Sequence, residues 1–253
     1  MCLIALAWRA HPTYPLVVAA NRDEWRERPT QAAHWWPEHP QLLAGRDLQA
    51  GGTWMGYTRT GRFAAITNFR DPADRRSTAL SRGTLVTEFL LGTDSPEAFA
   101  GHLASRAGHY NGFNLIVGDG ASLFYFGSRQ AEVLAIAPGI HGLSNHRLDE
   151  PWPKVRHARD AMREALAEDN PVNRLFAMLG ETKAAPDAEL PDTGVGLDWE
   201  RRLAPSLITG ADYGTRASTV LTVTPGGAAR FEERTRDASG IATGTAAFEV
   251  RPG

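Results

Sequence analysis

Apolar and polar positions are arranged along the chain so as to predict strands at both ends and in the middle, with helices inserted between them. Leu3-Ile4-Ala5-Leu6-Ala7-Trp8 is an apolar run, Arg9 to Pro15 carries two prolines and a histidine, and Leu16-Val17-Val18-Ala19-Ala20 is a second run. That is the pattern of a hairpin. Gly51 to Tyr57 and Arg62 to Phe69 predict two more strands turning at Gly61, and the Gly51-Gly52 pair supplies backbone freedom for a close approach. Helical spacing follows: Leu80, Leu85, Val86, Phe89 and Leu90 form one apolar face, and a second helix opens at Ser95 as N-cap with Pro96 at its first position.

Strand patterns return at Phe113 to Gly118, Leu123 to Phe126, Val133 to Ile136 and Ile140 to Asn145, with Asp119-Gly120 as a tight-hairpin signal. Helices are expected from about Trp152 to Glu168 and from about Val172 to Leu179, followed by a Pro-, Asp- and Gly-rich surface loop from about Ala184 to Gly196. The tail predicts strands at Ser218 to Val223, Ala229 to Glu233 and near Phe248. The fold class is therefore α+β: antiparallel meanders with helices inserted, in a chain whose length suits one domain, residues 1 to 253. There is no internal repeat, and no apolar stretch approaches the roughly 20 residues that span a bilayer.

Composition sharpens this picture in one place. Net charge is −2, so no global field draws the protein to nucleic acid or anionic lipid, and a small-molecule substrate or ligand is the expected partner. All basic residues except Lys154 and Lys183 are Arg, which fits a GC-rich coding bias. One cysteine excludes an internal disulfide, a Cys-rich zinc site and an iron–sulfur cluster, and points to a reducing, cytoplasmic setting. That cysteine is Cys2.

Three plain explanations of its position stand beside a functional one. A secretion signal needs a basic start and an unbroken apolar stretch, whereas Arg9, His11 and Pro12 interrupt this one. A lipid-anchored cysteine needs an apolar segment ahead of it. A buried structural thiol in a first strand is the third, since single cysteines often have that role. The functional explanation is that cysteine is small enough for the initiator Met to be trimmed before it, leaving a thiol and a free α-amine on one residue. The amine titrates near ~7.7–8.0 and the thiol near ~8.5, so the one can take the proton of the other at neutral pH. Immediately after the second run comes Asn21-Arg22-Asp23-Glu24, which reads as a polar corner. The hairpin returns it to the side of Cys2.

Other chemistries lack their patterns. His34 with His39 and His141 with His146 are spaced without the carboxylates of a zinc helix, and no phosphate-cradling glycine motif or Gly-x-Ser-x-Gly elbow occurs. No cofactor is implied. Trp35-Trp36 and Phe124-Tyr125-Phe126 are read as core before they are read as ligand platforms.

Met1-Cys2-Leu3-Ile4, the tetrad at 21–24, Gly51 to Gly56, Thr67-Asn68-Phe69-Arg70, Gly112 to Leu115, Gly142-Leu143-Ser144-Asn145 with Pro151-Trp152-Pro153-Lys154, and Tyr213 to Arg216 with Ser218-Thr219 together resemble the NRDE family, to which the transport and Golgi organisation 2 proteins of animals belong. The pattern is in turn similar to N-terminal nucleophile hydrolases of the choloylglycine hydrolase and penicillin V acylase type. This resemblance implies a four-layer αββα sandwich of two antiparallel sheets between helices. It implies Cys2 as nucleophile, Arg22 and Asp23 beside it, Asn68 and Asn145 as oxyanion donors and Arg216 as a late site residue, with Asn21, Glu24 and Trp54 contacting substrate. Asn21 and Glu24 are the alternative pair beside the nucleophile, because the order Asn-Arg-Asp-Glu departs from that of the acylases. Two functions remain open: an amidohydrolase or acyltransferase acting on a nonpeptide amide or acyl bond, and a non-catalytic carrier of haem, lipid or acyl-CoA. Oligomeric state has no signature in the sequence.

Overall fold

A computed structural model describes residues 2–74 and 76–252. In chain order the strands and helices begin with β1 (Cys2–Trp8), β2 (Leu16–Trp25), β3 (Thr30–Trp36), β4 (His39–Asp47), β5 (Met55–Thr58) and β6 (Phe63–Asn68), followed by α1 (Gly83–Leu91) and α2 (Pro96–Arg106). Next are β7 (Phe113–Gly118), β8 (Leu123–Gly127), β9 (Glu132–Ala135) and β10 (Gly139–Leu143), then α3 (Pro153–Ala165), α4 (Val172–Leu179) and α5 (Leu197–Leu203). The chain closes with β11 (Tyr213–Val223), β12 (Ala229–Arg236) and β13 (Ala242–Val250).

The strands form two antiparallel sheets, one ordered β10-β1-β2-β11-β12-β13 and the other β3 through β9 in sequence. Ile4, Leu6 and Trp8 of β1, with Leu16 and Val18 of β2, face the second sheet and meet Met55, Tyr57, Phe63 and Ile116. Leu3, Ala5, Ala7, Val17 and Ala19 face the other way, into α3 and α4 through Val155, Met162, Leu175 and Leu179. Burial on both faces explains why these strands read as continuous apolar runs instead of alternating ones. On the far side, Leu85, Val86, Phe89 and Phe99 of α1 and α2 cover Leu42, Ala64, Leu115 and Val117. The order is helix, sheet, sheet, helix, the sandwich that the resemblance implies. No helix among the described residues is long and apolar enough to cross a membrane.

Local signals work where expected. Ser95 accepts the Ala98 amide at 3.2 Å ahead of Pro96, and Asp119 Oδ1 accepts the Ala121 and Ser122 amides at 3.0 and 2.9 Å beside Gly120 at φ +85°. Leu80, by contrast, lies outside α1 and is exposed. The tetrad is the larger correction. It is not a corner but the end of β2, because β11 pairs along its other edge, Ser218 opposite Asn21, Thr215 opposite Asp23 and Tyr213 opposite Trp25. A partner some 190 residues away completes its backbone hydrogen bonds, so Asn21, Arg22 and Asp23 are buried.

Glu233 ties the two sheets together. From β12 its Oε1 accepts the Ala33 amide of β3 at 2.7 Å, and its Oε2 accepts the Thr219 hydroxyl at 3.3 Å. Burial pushes this carboxyl up to about 7 from the usual 4.5. A carboxyl that prefers its proton when folded stabilises fully below pH 4.5 and loses that contribution as pH rises through about 7. Unfolding at a series of pH values should show wild type losing stability relative to Glu233→Gln across this window, by on the order of 2–3 kcal/mol at pH 8. Parallel curves would contradict the assignment.

Candidate active site

Cys2 opens β1 directly opposite Arg22 of β2. Strand alternation sends both side chains to the face that looks towards the second sheet, beyond the last apolar pair of the hairpin. The Arg22 guanidinium lies 4.4 Å over the Trp54 ring, donates to Thr30 Oγ1 at 3.1 Å and stands 3.7 Å from Glu24. Trp54 has its place because position 45 is glycine, where a Cβ would run into the indole. Gly52 likewise allows backbone contact with Gly83 at the start of α1, and Thr53 N–H donates to Gly83 O at 3.3 Å.

Cys2, Arg22, Asp23, Glu24, Trp54 and Asn68 line one cavity of about 370 Å³, to whose lining the segment from Ser77 to Gly83 also contributes. Its walls are polar and charged. Burial pushes the Cys2 thiol up, the Asp23 carboxylate adds to the rise, and the Asp23 amide and Arg22 oppose it. The resting form is the thiol, and a nucleophile here needs a base.

Behind the cysteine is a buried ionic cluster. Asp23 Oδ1 accepts the Thr215 hydroxyl at 2.7 Å, and its carboxyl is raised by burial against the pull of Lys154 and Arg70. Lys154, which donates to Leu203 O at 2.8 Å, is lowered to about 8 by burial and by Arg70, with Asp23 and Cys2 opposing. Arg70 pairs with Glu200 at 2.5 Å over the Trp152 ring. Among the described residues no cluster of His, Cys, Asp and Glu is placed to hold a metal.

The two sheets are stitched beside Cys2. Ser144 Oγ donates to Cys2 O at 3.1 Å, Thr67 Oγ1 to Ser144 O at 2.7 Å, and Asn145 Nδ2 to Asn68 O at 3.0 Å. The Asn145 amide thus holds the strand that carries Asn68 and does not line the cavity. Asn21 points to the helix layer, donating to Leu179 O and Ser206 O at 2.8 and 2.7 Å. Arg216, the extra residue of a bulge in β11, donates to the carbonyls of Trp25, Arg26 and Arg28 and clamps the turn after the tetrad. Sequence reasoning missed Arg82, Lys154, Arg70 and Thr215 as site residues. Three of them lie inside motif blocks that carried the resemblance, and Lys154 is one of only two lysines.

The family model described as "Transport and Golgi organisation 2" matches residues 1–238. The chain belongs to this family. A bovine Transport and Golgi organization protein 2 homolog is 35% identical, covering 92% of this chain and 92% of that protein, and the human homolog is 34% identical with the same coverage. The Drosophila Transport and Golgi organization protein 2 is 26% identical over 78% of this chain. Among solved structures, a C2A mutant of the conjugated bile acid hydrolase from Clostridium perfringens aligns over 98% of this chain and 92% of its own, at 8% identity and a TM-score of 0.49. A Caenorhabditis elegans ortholog of N-acylethanolamine-hydrolyzing acid amidase aligns over 89% of this chain and 93% of its own, at 11% identity and 0.44. The sandwich described for this Transport and Golgi organisation 2 member stands on its own strands and helices.

The stitch makes Asn145 testable. Asn145→Ala would remove a fully buried amide and leave the partly buried Asn68 carbonyl without that donor, and should lower stability by about 1–3 kcal/mol in urea unfolding. An unchanged midpoint would show that the amide does not hold the strand.

Proposed function

We propose that this protein is an N-terminal-cysteine amidohydrolase or acyltransferase acting on a nonpeptide amide or acyl bond of a small molecule, with Cys2 as nucleophile after removal of Met1. The observation that carries the reading is the start of β1: a lone cysteine opposite Arg22, adjoining Asp23, at the wall of a polar cavity that Asn68 also lines.

Once Met1 is gone, the Cys2 α-amine is the base that the raised thiol requires. Cys2 Sγ attacks the substrate carbonyl carbon as the amine accepts the thiol proton, and the carbonyl oxygen becomes an oxyanion. The Asn68 side-chain amide is the suitable donor to it; loss of one such donor costs on the order of 10²–10³ in turnover. As the tetrahedral adduct collapses, the ammonium returns its proton to the leaving amine or thiol, and a thioester to Cys2 remains. Water, or an acceptor nucleophile in transfer, then gives its proton to the amine and releases the acyl group. The buried Asp23 stabilises the ammonium, and Arg22 draws the thiol towards thiolate. Asn145 and Arg216 position, the first through the strand of Asn68 and the second through the turn after β2. The cytoplasm, which keeps a lone thiol reduced, is the matching compartment.

The carrier alternative gains no support from the cavity, whose charged walls do not offer the apolar surface that a haem or long acyl chain requires. Incubating the protein with a metabolite extract should yield a hydroxylamine-labile mass adduct on Cys2, and Cys2→Ser should show none. Tight retention of an unmodified ligand with no adduct would favour the carrier.

A further inference from the structure

The cations around the cavity are not equivalent. Arg28 donates twice to Asp47 Oδ2, at 2.9 and 2.7 Å, and stands 3.9 Å from Glu24. Arg22 is 3.7 Å from Glu24 and stacked on Trp54. Arg82 differs. Its Nη1 donates to the Gly112 carbonyl at 3.1 Å, which fixes the guanidinium, yet among the described residues no carboxylate lies within 4.0 Å of it. It lines the same cavity as Cys2, and its charge interacts with both Cys2 and Glu24.

A guanidinium carries five donors in a planar fork that matches a carboxylate in two-point contact, and it remains charged in a protein. One anchored donor leaves the remainder of the fork for a ligand. Arg22 and Arg28 already have Glu24 or Asp47 within 4.0 Å, whereas Glu24 and Asp74 act on Arg82 only from beyond that distance, so Arg82 is the least neutralised of these three cations. The segment from Ser77 to Ser81 contributes to the lining of the same cavity.

We propose that Arg82 is the anion-recognition residue of this site, and that the molecule processed at Cys2 is a compact acyl compound that also carries a carboxylate. Processing at Cys2 rests on the proposed nucleophile; anion recognition does not. Arg216, the sequence-based candidate for a late site arginine, does not line this cavity and turns its Nη1 to the carbonyls of Trp25, Arg26 and Arg28.

The test compares alkylation of Cys2 by iodoacetate with alkylation by neutral iodoacetamide, each relative to free cysteine. In the wild-type protein the iodoacetate-to-iodoacetamide rate ratio should exceed that of free cysteine by about five- to tenfold, a difference of about 1 kcal/mol. Arg82→Gln should return the ratio to that of free cysteine, and Arg82→Lys should recover part of it. A second arm does not involve the thiol: succinate, but not succinamide, should raise the thermal midpoint of wild type and of Cys2→Ser, and the rise should vanish in Arg82→Gln. A wild-type ratio equal to that of free cysteine, or succinate stabilisation that persists in Arg82→Gln, overturns the inference. If Cys2 resists both alkylating agents while succinate still stabilises through Arg82, the nucleophile reading fails and anion recognition stands.

Discussion

The register that sets Cys2 against Arg22 is the constraint on which the remaining geometry depends. Strand side chains alternate, so a shift of one residue between β1 and β2 would turn Cys2 away from the second sheet and set Ile4 and Leu6 against the helix layer, where the small Ala5 and Ala7 now pack. The apolar residues of the hairpin, buried on both faces, therefore determine where the thiol points. β11 completes the arrangement from the other edge of β2, bringing Thr215 to Asp23 and Arg216 to the turn after the tetrad. The end of the sandwich that carries Cys2 and Arg22 is a by-product of core packing carried two residues further along each strand.

Such a site has an energetic cost that the surroundings offset. Asp23, Lys154, Arg70 and Glu200 are all buried, and each charge taken from water is met by an opposite charge or a directed hydrogen bond. Glu200 also accepts the Thr193 amide and hydroxyl, so the long loop ahead of α5 is tied into the same cluster. α5 and its small apolar group, Leu203 with Ile208 and Tyr213, thus contribute to the site by holding ions in place, although none of these residues lines the cavity.

Much of this was legible in the chain, and the parts that were not share a physical cause. The hairpin, the Ser95 cap, the Asp119-Gly120 turn and α4 depend on neighbours in sequence, and each was found where the pattern placed it. β3 and β4 were missed because β3 is an edge strand in which only Ala33 and Trp36 are buried, so it shows no regular apolar alternation, and because β4 opens on the polar and proline residues His39-Pro40-Gln41. The tetrad was read as a corner because its stabilising partner, β11, is remote. The candidate residues divide in the same way: Cys2, Arg22, Asp23, Glu24, Trp54 and Asn68 converge on one cavity. Asn21, Asn145 and Arg216 serve backbone carbonyls just outside it, a distinction that residue type and spacing do not encode.

The central claim is that a free α-amine on Cys2 serves as the base for a thiol that burial holds protonated. The most direct measurement is the rate of Cys2 alkylation by iodoacetamide at pH 7 in the chain that begins at Cys2, compared with a chain bearing one extra residue before it. The account predicts a rate at least about tenfold higher for the chain with the free amine, since the amine supplies general-base assistance worth that much or more. Equal rates in the two chains, with both folded, would contradict it.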